Sequence, residues 1–137
     1  MPDDYEAMLP GFQYAESRGE ADPWAAVGDQ GASRGAYQIQ PIMYQDIQRV
    51  YPNDWGQMSY EQMLSKPESQ TSAILSGLRM LEEHYGLTGD ALLSGWNTGP
   101  TKARKGYRNQ KYIDTYKEGI RRHQNRRQTP LDLLRGK

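Results

Sequence analysis

A carboxyl group acts as a general acid at neutral pH only where its surroundings keep the proton on it, and an apolar wall does that. Glu16 lies in the run Ala15-Glu16-Ser17-Arg18-Gly19, with Phe12 and Tyr14 just before it and Tyr37 and Trp96 further on. Such a wall is available if the fold gathers these rings. Three later stretches carry amide or hydroxyl side chains among turn-forming residues: Gly31-Ala32-Ser33-Arg34-Gly35-Ala36-Tyr37-Gln38-Ile39-Gln40-Pro41, Gly95-Trp96-Asn97-Thr98-Gly99-Pro100 and Tyr112-Ile113. Each feature also has a plain structural explanation. Glu16 could be a surface residue near a helix end, and Gln38 could satisfy backbone groups in a Gly-rich loop. Asn97-Thr98-Gly99-Pro100 could be an ordinary turn, since Asn, Gly and Pro favour turns for local reasons. Tyr112 could be core. The weight lies in the set and its order.

In that order the stretches resemble the lysozyme-like lytic transglycosylases, relatives of goose-type lysozyme that cleave the glycan strands of bacterial peptidoglycan. The resemblance covers about residues 8–120. It implies a catalytic acid/base at Glu16, followed by a serine, Ser17, that helps hold the cleft around acid and substrate. Gln38 matches the glutamine of a Gly-Leu-Met-Gln segment, written here Gly35-Ala36-Tyr37-Gln38, with Tyr37 replacing methionine on the cleft wall. Asn97 matches the asparagine of Ala-Tyr-Asn-Ala-Gly-Pro, with Trp96 and Thr98 replacing tyrosine and alanine; that asparagine is placed to hold an N-acetyl group. Tyr112 matches a late tyrosine whose hydroxyl points at the glutamate, with Tyr107 and Tyr116 as rivals. Goose-type lysozymes carry acidic residues in the lobe after the glutamate, where this chain has Asp22 and Asp29. Asp29 facing the cleft could position a water and make the enzyme a hydrolase; otherwise it is a turn aspartate beside Gly28.

Most glycosidases use a second carboxylate as base or nucleophile. The resemblance implies a route without one. The glutamate protonates the bridging oxygen, and the substrate's own N-acetyl carbonyl stabilises the cationic sugar centre. The glutamate then takes a proton from the muramic acid 6-hydroxyl, which closes a 1,6-anhydro ring. No cofactor and no metal is implied. His84 and His123 are the only histidines, neither has metal-ligand spacing, and both are expected to face solvent.

The chain of 137 residues is expected to form one domain. It has no cysteine, so disulfides and thiol chemistry are excluded. No segment approaches the ~20 apolar residues of a membrane span. The acidic start, Met1-Pro2-Asp3-Asp4-Tyr5, has no basic or apolar region of a secretory signal. A wall-directed enzyme of this kind is therefore expected to be phage-encoded, carried on a virion or released by lysis, and to act on the cell wall in the periplasm. Charge is uneven. Residues 1–100 hold 14 acidic and 5 basic side chains, residues 101–137 hold 3 and 12, and the total cancels to zero. The basic end could meet anionic envelope polymers. The plainer expectation is that it lies beside the acidic body and is otherwise solvated.

The elements that must position these residues read as mostly α, in an α+β lysozyme-like arrangement: a helical body, a Gly-rich lobe over 20–40 with a possible short hairpin, and an open glycan-binding cleft between them. Ile74, Leu75, Leu78, Leu81 and Tyr85 have helical spacing over 70–85, with Pro67 near the start and Gly86 as the stop. Further helices are expected from about Pro41 to Tyr51, Asp90 to Trp96 and Asn109 to His123. A first helix should lead into Glu16, but Pro10 predicts a break or kink. The domain is expected over 1–124, with a basic tail over 125–137. The partner implied is peptidoglycan. The alternatives are a hydrolysing muramidase and a non-catalytic virion or wall-binding protein. Specific nucleic-acid binding through residues 101–127 would rest on charge alone, with too few aromatic residues to line a basic face.

Overall fold

The computed structural model describes residues 5–28, 31 and 33–127. Asp29 and residues 128–137 of the expected tail lie outside the described residues. The architecture is mostly helical: α1 (Tyr5–Ser17), α2 (Pro41–Val50), α3 (Pro52–Trp55), α4 (Tyr60–Leu64), α5 (Pro67–Arg79), α6 (Asp90–Thr98), α7 (Pro100–Arg104) and α8 (Gln110–Arg127). Between α1 and α2 lies the lobe, with a 3-10 turn at Pro23–Ala25 and two short antiparallel strands, β1 (Val27–Gly28) and β2 (Ser33–Arg34). No helix among the described residues is long and apolar enough to cross a membrane.

The apolar faces of α1, α2, α5, α6 and α8 share one core. Phe12, Ile47, Ile74, Leu78, Leu81 and Ile113 are fully buried in it. Phe12 meets Trp96 and Tyr116 edge-on, at ring-centre distances of 6.2 and 5.0 Å. Proline opens α2, α3, α5 and α7, where its missing N–H costs no helical bond. Ser59 and Gln62 form a reciprocal cap on α4. Beyond α5 the helix widens by one residue at Met80–His84, and Tyr85 N–H bonds back to the Met80 carbonyl.

Two expectations need correction. Pro10 does not break the first helix; α1 runs through it to Ser17. The carbonyl deprived of a donor is that of Glu6, an exposed residue. Packing against α8 holds the turns on either side. A Cβ on Gly11 would lie 2.5 Å from the Tyr116 ring, and one on Gly119 would lie 3.1 Å from Gly11 Cα. The two glycines let the helix backbones touch. Second, α8 runs on to Arg127, past the expected end at His123. Arg121 and Arg122 both pair with Glu118, three and four residues earlier, which supports the last turns. Hydrogen bonds from these two guanidinium groups hold the half-buried Glu118 carboxyl down at about 2. The expected turn at Thr98-Gly99-Pro100 joins α6, which ends at Thr98, to α7. Gly99 takes φ +93, which reverses the chain, and Pro100 starts α7.

Of the expected solvent-facing histidines, His84 is exposed, while His123 is half-buried. Lys117 of the basic end reaches Asp90 of the body at 3.8 Å.

Candidate active site

α1 and α8 form the most extensive helix pair among the described residues. Gly11 faces Gly119 and Glu16 meets Tyr112, so the two helices run antiparallel. The last turn of α1 thereby delivers Glu16 to the first turn of α8. Tyr112 Oη donates to Glu16 Oε2 at 2.5 Å. Burial pushes the Tyr112 phenol well up, and the neighbouring Glu16 charge and its hydrogen bond push it further. The hydroxyl therefore keeps its proton and remains a donor to the carboxylate. The rivals lie elsewhere: Tyr107 is exposed beside Lys102, and Tyr116 packs in the core.

Glu16 opens on a cleft of about 530 Å³. The lobe contributes Ser33, Gln38 and Gln40 to its wall. The end of α6 contributes Trp96, Asn97 and Thr98, α2 contributes Ile42, Met43 and Asp46, and the residue after Met80–His84 contributes Tyr85. Four residues singled out in the sequence, Glu16, Gln38, Trp96 and Asn97, thus line one cavity, and Tyr112 touches Glu16 from behind. A larger concavity of about 870 Å³ lies over the other side of α1, between Leu9, Tyr14, Arg18 and Arg122. It contains neither Glu16 nor the amides, so the smaller cleft is where acid and hydrogen-bonding groups converge.

Gln38 sits at φ +51, a left-handed conformation uncommon outside glycine. Its Nε2 donates to the Gly35 carbonyl at 2.8 Å. Its Oε1 lies where a side chain on Gly28 would have to go, 2.2 Å from an added Cβ. Strained backbone of this kind persists only where its surroundings over-determine it, and it clusters at functional sites.

Ser17 and Tyr37 do not face this cleft. Ser17 is buried, and its hydroxyl donates to the carbonyls of Ala36 at 2.8 Å and Gln13 at 3.1 Å. It ties the end of α1 to the lobe. Tyr37 is 3% exposed, packs edge-on against Trp24, and accepts the Trp96 indole N–H on its carbonyl at 3.4 Å. Its side chain supports the wall from inside. Asp22 caps the 3-10 turn, accepting the Trp24 N–H at 3.2 Å.

The sequence reading missed several residues that hold this site. Gln70 on α5 is 1% exposed, and its amide is fully used. Its Oε1 accepts the Ala36 N–H, and its Nε2 donates to the Trp24 and Leu64 carbonyls, each at 2.9 Å. One side chain thus pins the lobe to the body. Nothing local marks it out, because a glutamine on an amphipathic helix usually faces water. Asp46 on α2 is another. It accepts from Tyr85 Oη at 2.8 Å and from Arg49 at 2.5 Å. Asn109 does more than mark the start of α8. Its Oδ1 accepts the Tyr112 N–H at 3.1 Å and its Nδ2 donates to Asn97 Oδ1 at 3.0 Å. An Asn just before a helix is a recognised cap signal, so that much could have been found.

Comparison with protein families, with curated proteins and with solved structures found no match. The site is therefore read from its own chemistry. A carboxylate held by a neutral phenol, in a cleft that also presents Trp96, Tyr85 and the amides of Gln38, Gln40 and Asn97, can give and take a proton beside a polar substrate.

Proposed function

We propose that this protein is a peptidoglycan lytic transglycosylase with a lysozyme-like fold, cleaving the β-1,4 bond between N-acetylmuramic acid and N-acetylglucosamine. The observation that carries the reading is the Tyr112–Glu16 hydrogen bond at the edge of a cleft that also holds Gln38, Trp96 and Asn97. The resemblance drawn from the sequence asks for these partners, and they come together from residues as far apart as 16 and 112.

In this reading Glu16 protonates the oxygen leaving the muramoyl carbon as the glycosidic bond breaks. The substrate's acetamido carbonyl stabilises the cationic carbon, and Asn97 holds that acetamido group. The ionised Glu16 then draws the proton from the muramoyl 6-hydroxyl, whose oxygen bonds to the same carbon. The proton balance closes on one carboxyl group, and no water is consumed. Tyr112 holds Glu16 in place through both steps, and Trp96 gives the sugar an apolar surface.

A hydrolysing muramidase would need a carboxylate to activate water. Among the described residues lining the cleft, the other carboxylate is Asp46, already engaged by Tyr85 and Arg49. Asp29, the sequence's candidate for activating water, lies outside the described residues, so the mass of the product decides between the two routes.

The test is digestion of purified sacculi, with the released muropeptides weighed. Anhydro products are one water lighter than hydrolytic ones. Glu16→Gln should retain the fold and lose turnover by roughly 10²–10⁴-fold, the usual worth of one general acid–base group. Near-normal lysis by that variant would remove Glu16 from the mechanism, and products of full hydrolytic mass would replace the transglycosylase by a muramidase.

A further inference from the structure

We propose that Asn109 is a positioning residue that fixes the orientation of the Asn97 amide, so that Asn97 turns its N–H donors and not its carbonyl to the cleft. The inference rests on the reading of the cleft given above, in which Asn97 meets an acetamido carbonyl.

The argument is one of donors and acceptors. A backbone N–H can only donate. The side-chain atom of Asn109 that meets Tyr112 N at 3.1 Å must therefore be its oxygen. That leaves Asn109 Nδ2, which can only donate, facing Asn97 at 3.0 Å. The Asn97 atom in that contact must be an acceptor, its Oδ1. Asn97 Nδ2 is then the end left for the cleft, whose wall Asn97 forms. Each step follows from the one before, starting from a backbone group that has no choice. An isolated asparagine amide could flip and show a substrate carbonyl either end; this one is held. A donor turned to the cleft selects a substrate with a neutral carbonyl acceptor, as an N-acetyl sugar has.

Asn109 also begins the helix that carries Tyr112. Its backbone carbonyl accepts the Ile113 N–H at 3.0 Å, while its side chain caps the Tyr112 N–H. One residue thereby sets both the turn that aims the Tyr112 hydroxyl at Glu16 and the face that Asn97 shows to the sugar. The two functions separate in a single substitution.

Asn109→Asp keeps the acceptor for the Tyr112 N–H, and a carboxylate is favourable at a helix start. It replaces the donor to Asn97 by an acceptor. Asn97 must then rotate to donate its Nδ2 to the carboxylate, which leaves its Oδ1 in the cleft against the substrate carbonyl. The expected result is an unchanged or higher Tm with turnover of sacculi lowered about tenfold or more, as for loss of a positioned donor. In the Asn97→Ala background the same substitution should cause no further loss. A loss that persists there would mean the new charge acts directly on the acid, and would overturn the inference. Full activity of Asn109→Asp in an otherwise active protein would overturn it too, while leaving the glycan-cleaving reading intact.

A readout without substrate keeps the inference testable if the protein cleaves no glycan. In the unsubstituted protein both Asn97 side-chain N–H protons should exchange readily with solvent by NMR. In Asn109→Asp one of them should shift and become protected. Unchanged Asn97 side-chain amide signals would overturn the inference whatever the activity.

Discussion

Tyr112 donates its hydroxyl to Glu16 across 96 residues of sequence, and among the described residues the bond joins the first helix to the last. Its donor is a phenol kept neutral by burial, and its acceptor is the proposed acid. Tyr112→Phe removes this one contact and leaves the ring in place. A hydrogen bond to a charged group contributes about 1.5–3 kcal/mol, so turnover should fall roughly 10- to 100-fold. Tm should change little. Rates on sacculi compared with a thermal melt check it, and a large fall in Tm at normal activity per folded molecule would make Tyr112 a core residue only.

The geometry of that bond depends on two glycines one or two turns away. A Cβ at Gly119 would lie 2.5 Å from Tyr14 Cβ and 3.1 Å from Gly11 Cα. Neither atom can swing aside, so Gly119→Ala must push α1 and α8 apart. Overpacking of this sort costs about 1–3 kcal/mol, offset by the roughly 0.5–1 kcal/mol that Ala gains over Gly within a helix. The expected outcome is a net loss of about 1–2 kcal/mol in urea unfolding, with turnover falling as Glu16 and Tyr112 separate. Unchanged stability would show that the helices can slide to make room.

Alkaline unfolding tests the burial of the same seam. Burial against Phe12 raises the Tyr116 phenol from 10.0 to about 12. Below pH 10 both states keep the proton, and this residue gives no pH dependence. Between pH 10 and about 12 the unfolded chain releases the proton while the folded one holds it, so stability falls as pH rises through that window. Tyr116→Phe should make the decline of Tm with pH shallower there and leave Tm near pH 8 almost unchanged. Identical slopes for the two proteins would mean that the Tyr116 hydroxyl reaches solvent.

The candidate cleft residues Glu16, Gln38 and Asn97 were legible because each belongs to a short local pattern. Glu-Ser before a glycine, Gln after a Gly-rich stretch and Asn before Gly-Pro can each be read without knowing the fold. The helices of α2, α5 and α8 were legible for a similar reason: their apolar residues recur at helical spacing. What escaped was decided by contact between distant segments. Pro10 reads as a break locally, but α8 holds the helix through it by way of Gly11 and Gly119. Gln70 reads as a surface residue, but three backbone groups of the lobe and of α4 claim its amide. Tyr37 reads as cleft wall because it precedes Gln38. The left-handed turn at Gln38 sends the two side chains apart, one to the core and one to the cleft.

That turn supports a last prediction about how the lobe presents Gln38. A Cβ on Gly28 would fall 2.2 Å from Gln38 Oε1, but the next contact from the backbone, the Ser33 carbonyl oxygen, is 4.0 Å away. Gly28 has no left-handed backbone conformation that a side chain would strain. Gly28→Ala is therefore tolerable to β1 and β2, and what must give way is the end of the Gln38 side chain. If Gln38 acts in the cleft, moving its amide should lower turnover to the level of Gln38→Ala while sparing Tm. Combining the two substitutions should cost little more than either one, because both remove the same group from the same place. Additive losses would mean that Gly28 matters for a different reason, such as the approach of substrate to the lobe. Full activity in Gly28→Ala, with Gln38 displaced in a crystal structure of the variant, would show that Gln38 serves the turn and not the sugar.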